Sequence, residues 1–243
     1  MGVNYDKFKC MSIGHLSERV IFTINGKDVG PSKSVKILGL TIDQKLSFHE
    51  HINNICKSAA RQLNVLKRLH KYLNLEARLA IFRCYILSNF NYCPIVWHFC
   101  SLEQSQLMEK IQERALRFVY NDFTTSYKEL LIKGDHQILY IGRLRTIALE
   151  VYKLLNGHSP EYISDLIKLK NNSYDLCNSQ SVVQPKCKTV TYGLKSFSYK
   201  GAKVWNTLPC NIRNAVSVQE FKELIKTWEG PKCLCTLCTK MLW

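Results

Sequence analysis

Val35-Lys-Ile-Leu-Gly-Leu-Thr-Ile-Asp43, followed by LSFHEHINNICKSAARQLNVLKRLHKY over residues 46–72, is the stretch around which the chain is organised. Its first part is apolar and β-branched and reads as a strand, with Asp43 closing it as a turn residue or cap. From about His49 the period changes. An advance of ~100° per residue puts Ile52, Ile55, Ala59, Leu63, Leu66 and Leu73 on one side of a long helix, with Lys57, Arg61, Asn64, Arg68 and Lys71 opposite. The apolar side has to be buried. The other side carries one sign, because Glu50 is the only acid between Lys45 and Tyr72. A solvated face ordinarily mixes both signs, so two readings stand: an idle basic surface, or a face that meets phosphates.

The excess of positive charge extends to the whole chain. Its 243 residues hold 34 Lys and Arg against 19 acids, a net charge of +15. That length supports one large or two small domains, and 46% hydrophobic with 22% charged residues is a globular composition. Such an imbalance points to a polyanionic partner, nucleic acid first and an acidic membrane surface second, rather than to a small-molecule substrate. No run approaches the ~18 apolar residues of a membrane span, no signal peptide opens the chain, and Asp6 stands where N-myristoylation wants Ser or Thr. The expected location is cytoplasmic or nuclear. Eleven cysteines in a chain of this size without a leader do not read as a disulfide framework. Cys56, Cys84, Cys93 and Cys100 read as small buried hydrophobes.

Taken in order, residues 1–43 are β-rich: Phe8 to Ile13, Val20 to Ile24 and Val35 to Ile42 are strand-like, and Asn25-Gly26 signals a hairpin. Residues 44–170 are helical. Asn74 caps a second helix, Leu75 to Leu87, apolar nearly all round and expected to be central. Residues 89–98 read as an aromatic turn, and Ser101 with Gln104 forms a capping box for a helix to about Tyr120. There Met108, Ile111, Ala115 and Phe118 point inward, and Lys110, Arg114 and Arg117 form a second basic stripe. Ser126 opens a short helix, residues 137–156 form a longer one closed by Gly157, and Ser159-Pro160-Glu161 starts another with Pro160 at its first position. Composition shifts after Lys170. Residues 171–230 are basic and aromatic-rich, with Lys195, Lys200 and Lys203 interleaved with Tyr174, Tyr192, Phe197, Tyr199 and Trp205. This suits single-stranded nucleic acid, but Phe197, Val204 and Trp205 also suit the core of a small α/β unit. Ser217 and Glu220 form another capping box, for a helix carrying Phe221, Leu224, Ile225 and Trp228. The last segment, residues 231–243, is a Cys-rich tail. The expected fold is thus α+β and mainly helical.

Beyond the first stretch, Ser88-Asn-Phe-Asn-Tyr-Cys-Pro-Ile-Val-Trp97, Lys110-Ile-Gln-Glu-Arg-Ala-Leu-Arg-Phe118, Arg143-Leu-Arg145 and Pro160-Glu-Tyr162 follow. Then come Tyr192-Gly193, Ser196-Phe-Ser-Tyr-Lys-Gly-Ala-Lys-Val-Trp-Asn206 and Leu208-Pro209, and last the terminal Cys-x-Cys-x-x-Cys. Together these resemble, collinearly over almost the whole chain, the post-catalytic region of non-LTR (LINE-type, jockey-like) retrotransposon reverse transcriptases. The resemblance implies a palm remnant over residues 1–43, a thumb over 44–170 and a post-thumb segment. It implies an RNA-directed DNA polymerase as the parent, and a chain that is a C-terminal fragment or 5′-truncated copy of one. A thumb lies along the template–primer duplex, so Lys57, Arg61, Arg68 and Lys71, with the stripe of the second basic helix and the C-terminal lysines, would contact phosphates.

Polymerisation needs adjacent aspartates holding two Mg²⁺ ions. The aspartates here are Asp6, Asp28, Asp43, Asp122, Asp135, Asp165 and Asp175, and no two are adjacent. No catalytic residue is therefore expected, and Mg²⁺ belongs to the intact parent alone. His49-Glu50-His51 lacks the four-residue spacing of a zinc protease and reads as polar residues at a helix start. Cys233, Cys235 and Cys238 can supply three of zinc's four ligands, with Cys210 or another chain as the fourth; a free cysteine tail is the alternative. The expectation is a non-catalytic nucleic-acid-binding chain. Its rival is a basic module for an acidic protein or membrane surface, or an inert relic.

Overall fold

The structure, a computed structural model, describes residues 8–14, 21–24, 26–170, 180–190 and 192–231. Helices dominate the described residues, and the strands form two small antiparallel sheets. β1 (Phe22–Ile24) and β2 (Lys27–Val29) form the hairpin signalled by Asn25-Gly26, with Ile24 opposite Lys27. The strand expected over Phe8 to Ile13 does not form; Cys10 makes a single bridge to Pro31. Where one strand is expected over Val35 to Ile42, two form: β3 (Ser34–Ile37) turns back at Leu38-Gly39 and pairs with β4 (Leu40–Asp43). Leu38 (φ 46°) and Gly39 (φ 88°) supply the two positive φ angles that a tight two-residue hairpin loop needs, so this glycine is a turn and not a strand interior.

Asp43 ties the second hairpin to the first helix. Its carboxylate accepts from Lys45 N, Ser47 N, Ser47 Oγ and, at 2.7 Å, Phe48 N. α1 (His49–Leu69) then buries Ile52, Cys56, Ala59, Leu63 and Leu66, the side its periodicity assigns inward. His51, expected as a polar residue at the helix start, is buried, where Thr41 N donates to its Nδ1 at 3.4 Å and Trp97 lies against its ring.

Asn74 caps the next helix by accepting from Ala77 N at 2.9 Å. α2 (Leu75–Ile81) runs into a π turn over Phe82–Leu87 and on into α3 (Ser88–Asn91). Phe82, Ile86 and Phe90 are buried four residues apart. Four residues of ideal α-helix overshoot a full turn by about 40°, and the wider π turn absorbs that drift, keeping all three on one line. The expectation of a wholly central helix fails on the other sides, where Arg83, Cys84 and Tyr85 are exposed. Residues 89–98 are not simply a turn: after Cys93 in the left-handed region (φ 44°) comes α4 (Pro94–Trp97), which seats Trp97 in the core.

α5 (Leu102–Tyr120) opens on the full capping box, Gln104 N donating to Ser101 Oγ and Ser101 N to Gln104 Oε1, each at 3.3 Å. Gln104 also reaches His49 at the start of α1, and His70 beyond its end packs on Phe118, so α1 and α5 run parallel. Arg78 of α2 donates to Phe118 O beside His70, just past the end of α1, while Asn89 of α3 reaches back to Gln62, so the α2–α3 helix runs antiparallel to α1. These helices enclose the first core together with α6 (Tyr127–Lys133).

α7 (Leu139–Leu155), α8 (Phe197–Asn206), α9 (Cys210–Arg213) and α10 (Val218–Leu224) enclose a second core, in which Tyr152 and Trp205 both pack on Phe221. The two cores meet at the start of α7, earlier in the chain than the composition shift at Lys170. After α7 comes a 3₁₀ helix, Glu161–Leu166, with Pro160 preceding it and not inside it. In place of the small α/β unit, the regular elements among the described residues after 170 are helices, joined by turns and irregular segments, and Val182 makes one isolated bridge to Leu169. Of the cysteines expected inside, Cys56 is buried, Cys100 is half-buried, and Cys84 and Cys93 are exposed.

Candidate nucleic-acid interface

The outward side of α1 is set by its inward one. With Ile52, Ala59, Leu63 and Leu66 sealed in the core, Lys57, Arg61 and Arg68 must face solvent, and all three are exposed. They span about 16 Å of axis at about 1.5 Å per residue. Lys71 follows just past the helix end, also exposed. Arg61 Nε donates to Lys57 O at 3.4 Å, which lays its guanidinium along the helix. Ion pairs among the described residues lie elsewhere, at Arg117–Glu113, Lys133–Asp122, Lys153–Glu150 and Lys168–Asp165. The α1 cations are therefore not neutralised by neighbouring carboxylates among those residues.

The second stripe differs. Lys110 and Arg114 are exposed, but Arg117 is held by Glu113 at 2.7 Å and donates to Thr125 O at 3.1 Å. Glu103 and Glu113 share this side of α5, so its face mixes signs where α1's does not. Both helices turn their buried sides to one core. At α8, Lys195 and Lys203 are exposed, whereas Lys200 is half-buried with Nζ 5.8 Å from the Phe99 ring centre. The interleaved aromatics point mostly inward: Trp205 is 1% exposed and donates from Nε1 to Gln180 O, and Phe197 and Tyr199 are half-buried, while Tyr192 is 39% exposed. Tyr174, Cys233, Cys235 and Cys238 lie outside the described residues. Among those residues, no three of His, Cys, Asp and Glu are grouped to hold a metal ion, and no helix is long and apolar enough to cross a membrane.

Two other places hold polar groups. A surface cleft of about 470 Å³ is lined by Lys170, Ser181, Val182, Val183, Gln184 and Asn206, a set with no acid–base pair. Between the cores, Arg143 is 3% exposed; it donates to Ser105 Oγ at 2.7 Å and His98 Nδ1 at 3.3 Å and lies over Trp97. Glu109, on the neighbouring turn of α5, accepts from Tyr127 Oη and from Leu139 N and Tyr140 N at the start of α7. Burial raises its carboxyl pKa, although Arg143 and these donors oppose the rise. Every partner is a neighbouring helix, so this cluster joins the two cores. It was not legible beforehand, because its members lie far apart in the chain.

No known family profile matches the chain. An uncharacterized protein of Caenorhabditis elegans is similar to it, 26% identical over 142 residues that make up 57% of this chain and 71% of that protein. No solved structure matches.

Proposed function

We propose that this chain binds nucleic acid through the outward face of α1, without reading sequence, as the thumb-like, non-catalytic C-terminal part of a LINE-type reverse transcriptase. The observation that carries the binding is the exposed run Lys57, Arg61, Arg68 and Lys71, with no carboxylate in ion-pair distance among the described residues. Lys110, Arg114, Lys195 and Lys203 would add long-range attraction from other faces. The collinear resemblance described above supports the polymerase lineage. With no adjacent aspartates the chain is expected to bind template–primer or RNA and not to extend it.

The test is binding of the purified chain to an RNA–DNA hybrid, single-stranded RNA and duplex DNA at two salt concentrations. Three phosphate contacts predict a loss of about 40-fold on duplex DNA between 50 and 200 mM salt. The variant Lys57→Glu/Arg61→Glu/Arg68→Glu should remove most of the binding and flatten the salt slope. If the variant binds as well as the wild type, the α1 face is not the interface, and the rival reading of a basic protein-binding module takes over.

A further inference from the structure

Beside the basic run of α1 lies an apolar step whose placement follows from the packing of two helices. Gln62 accepts from Asn89 Nδ2 at 2.7 Å, which fixes the flank of α1 against which α3 lies. Asn89 is one residue short of buried Phe90, and Tyr85 is one residue short of buried Ile86. Because the π turn keeps Ile86 and Phe90 in line, Tyr85 sits on the same flank as Asn89, one turn back. The two helices are antiparallel, so one turn back from Asn89 is one turn beyond Gln62 on α1. On that flank α1 carries Val65 and Leu69, 50% and 41% exposed, and Tyr85 itself is 59% exposed. Around the helix, Val65 lies between Arg61 and Gln62, about 40° from Arg61. A large aromatic ring with two aliphatic side chains thus adjoins a line of unneutralised cations.

We propose that this step stacks unpaired bases, so that the ligand of the α1 face is a single strand whose phosphates lie on Arg61 and Arg68 and whose bases turn toward Tyr85. The proposal rests on the α1 binding face proposed above and adds the strandedness of its ligand. Charge complementarity selects a polyanion, and the adjoining apolar step selects one with apolar faces to offer. A duplex keeps its bases stacked on each other and out of reach of a ring on a helix surface, whereas a single strand exposes a π-face at every nucleotide.

The experiment measures binding of the full chain to a labelled mixed-sequence single strand, as RNA and as DNA, to the same strand with three consecutive abasic sites, and to the duplex. The normal strand is expected to bind about tenfold tighter than the abasic strand. Tyr85→Ala should abolish that preference while leaving the abasic strand's affinity and salt slope unchanged, and Tyr85→Phe should keep it. Tyr85 is exposed, so both variants should keep the wild-type helical circular dichroism. Equal binding of normal and abasic strands, a preference for the duplex, or a preference that survives Tyr85→Ala overturns the stacking step, while a salt-sensitive loss in the triple glutamate variant leaves the basic face standing. Full binding by the triple variant overturns both.

Discussion

Arg143 sits in the interior without a carboxylate in ion-pair distance among the described residues, and its charge shapes the residues around it. Because its Nε donates to His98 Nδ1, that imidazole is neutral with its proton on Nε2. Burial first, and then the charges of Arg143 and Lys200, hold the His98 pKa well below its ordinary value. His51 and His136 are lowered as well, by burial and by Lys36 and Arg83 respectively. In the unfolded chain a histidine titrates near about 6.5. Below that pH the unfolded state takes up protons that the native state refuses, so stability is lost as pH falls through this value, by at most about 1.4 kcal/mol per unit for each histidine. The urea midpoint should therefore decline between pH 7.5 and 5.5. His98→Gln, which keeps an acceptor for Arg143, should decline less, and the comparison cancels the opposite contribution of Glu109. A midpoint independent of pH in both proteins would contradict this account. Asp43 has the same sign from a different cause: burial raises its pKa, but hydrogen bonds from Ser47, Phe48 and Lys45 outweigh it and hold the carboxyl below its ordinary value, so its contribution is also lost as pH falls.

Helix ends and one tight loop hold the elements in place. The Ser101 hydroxyl satisfies a first-turn amide of α5 while Gln104 answers the Ser101 amide. Ser101→Ala should cost about 1 kcal/mol, seen as a fall in Tm of about 2–4 °C for a chain of this size. At Gly39 (φ 88°) the strain is in the backbone: a Cβ would have room, 3.5 Å from the Tyr92 ring, yet no L side chain favours that φ. Gly39→Ala should cost about 1 kcal/mol or more through this conformation alone. Both substitutions leave the cations of α1 untouched, so nucleic-acid affinity measured well below Tm should stay at the wild-type level. A loss of binding in either would mean that the face depends on these ends.

At the scale of the molecule, the junction at the start of α7 decides how the two cores behave. Glu109 of α5 caps α7, and Arg143 of α7 reaches back to Ser105 of α5. Arg143 is buried and Glu109 half-buried, and breaking either contact leaves a desolvated group unpaired, at a cost of several kcal/mol. Opening one core alone exposes that junction, so the cores should unfold together. Trp205→Ala empties the aromatic stack of Tyr152 and Phe221 and should cost about 3–5 kcal/mol. Amide exchange in α5, far from Trp205 in the chain, should accelerate along with exchange in α8. Exchange that accelerates in α8 alone would show the cores to be independent.

What the sequence by itself determined is local. The inward line of α1, the caps at Asn74, Ser101, Ser126 and Ser217, and the Asn25-Gly26 hairpin each depend on residues within about four positions, where one helical turn or one tight loop decides the outcome. At Ser217 even this was partial: Glu220 N donates to its hydroxyl, but the Glu220 carboxylate accepts from Val216 N instead of completing the box. The single sign of the α1 face is equally a property of the sequence. Tertiary structure decided which of the counted cations are free. Arg117 and Lys200 looked no different from Arg61 until Thr125 and Phe99 came within reach. It also decided that Tyr85 faces solvent and that residues 35–43 fold back on themselves, since an apolar run reads the same whether it continues or turns. It assembled Arg143, His98 and Ser105 across helices separated by more than 35 residues. Periodicity records only that a side must be covered; which residue covers it, and which charges the covering consumes, is settled when the helices pack.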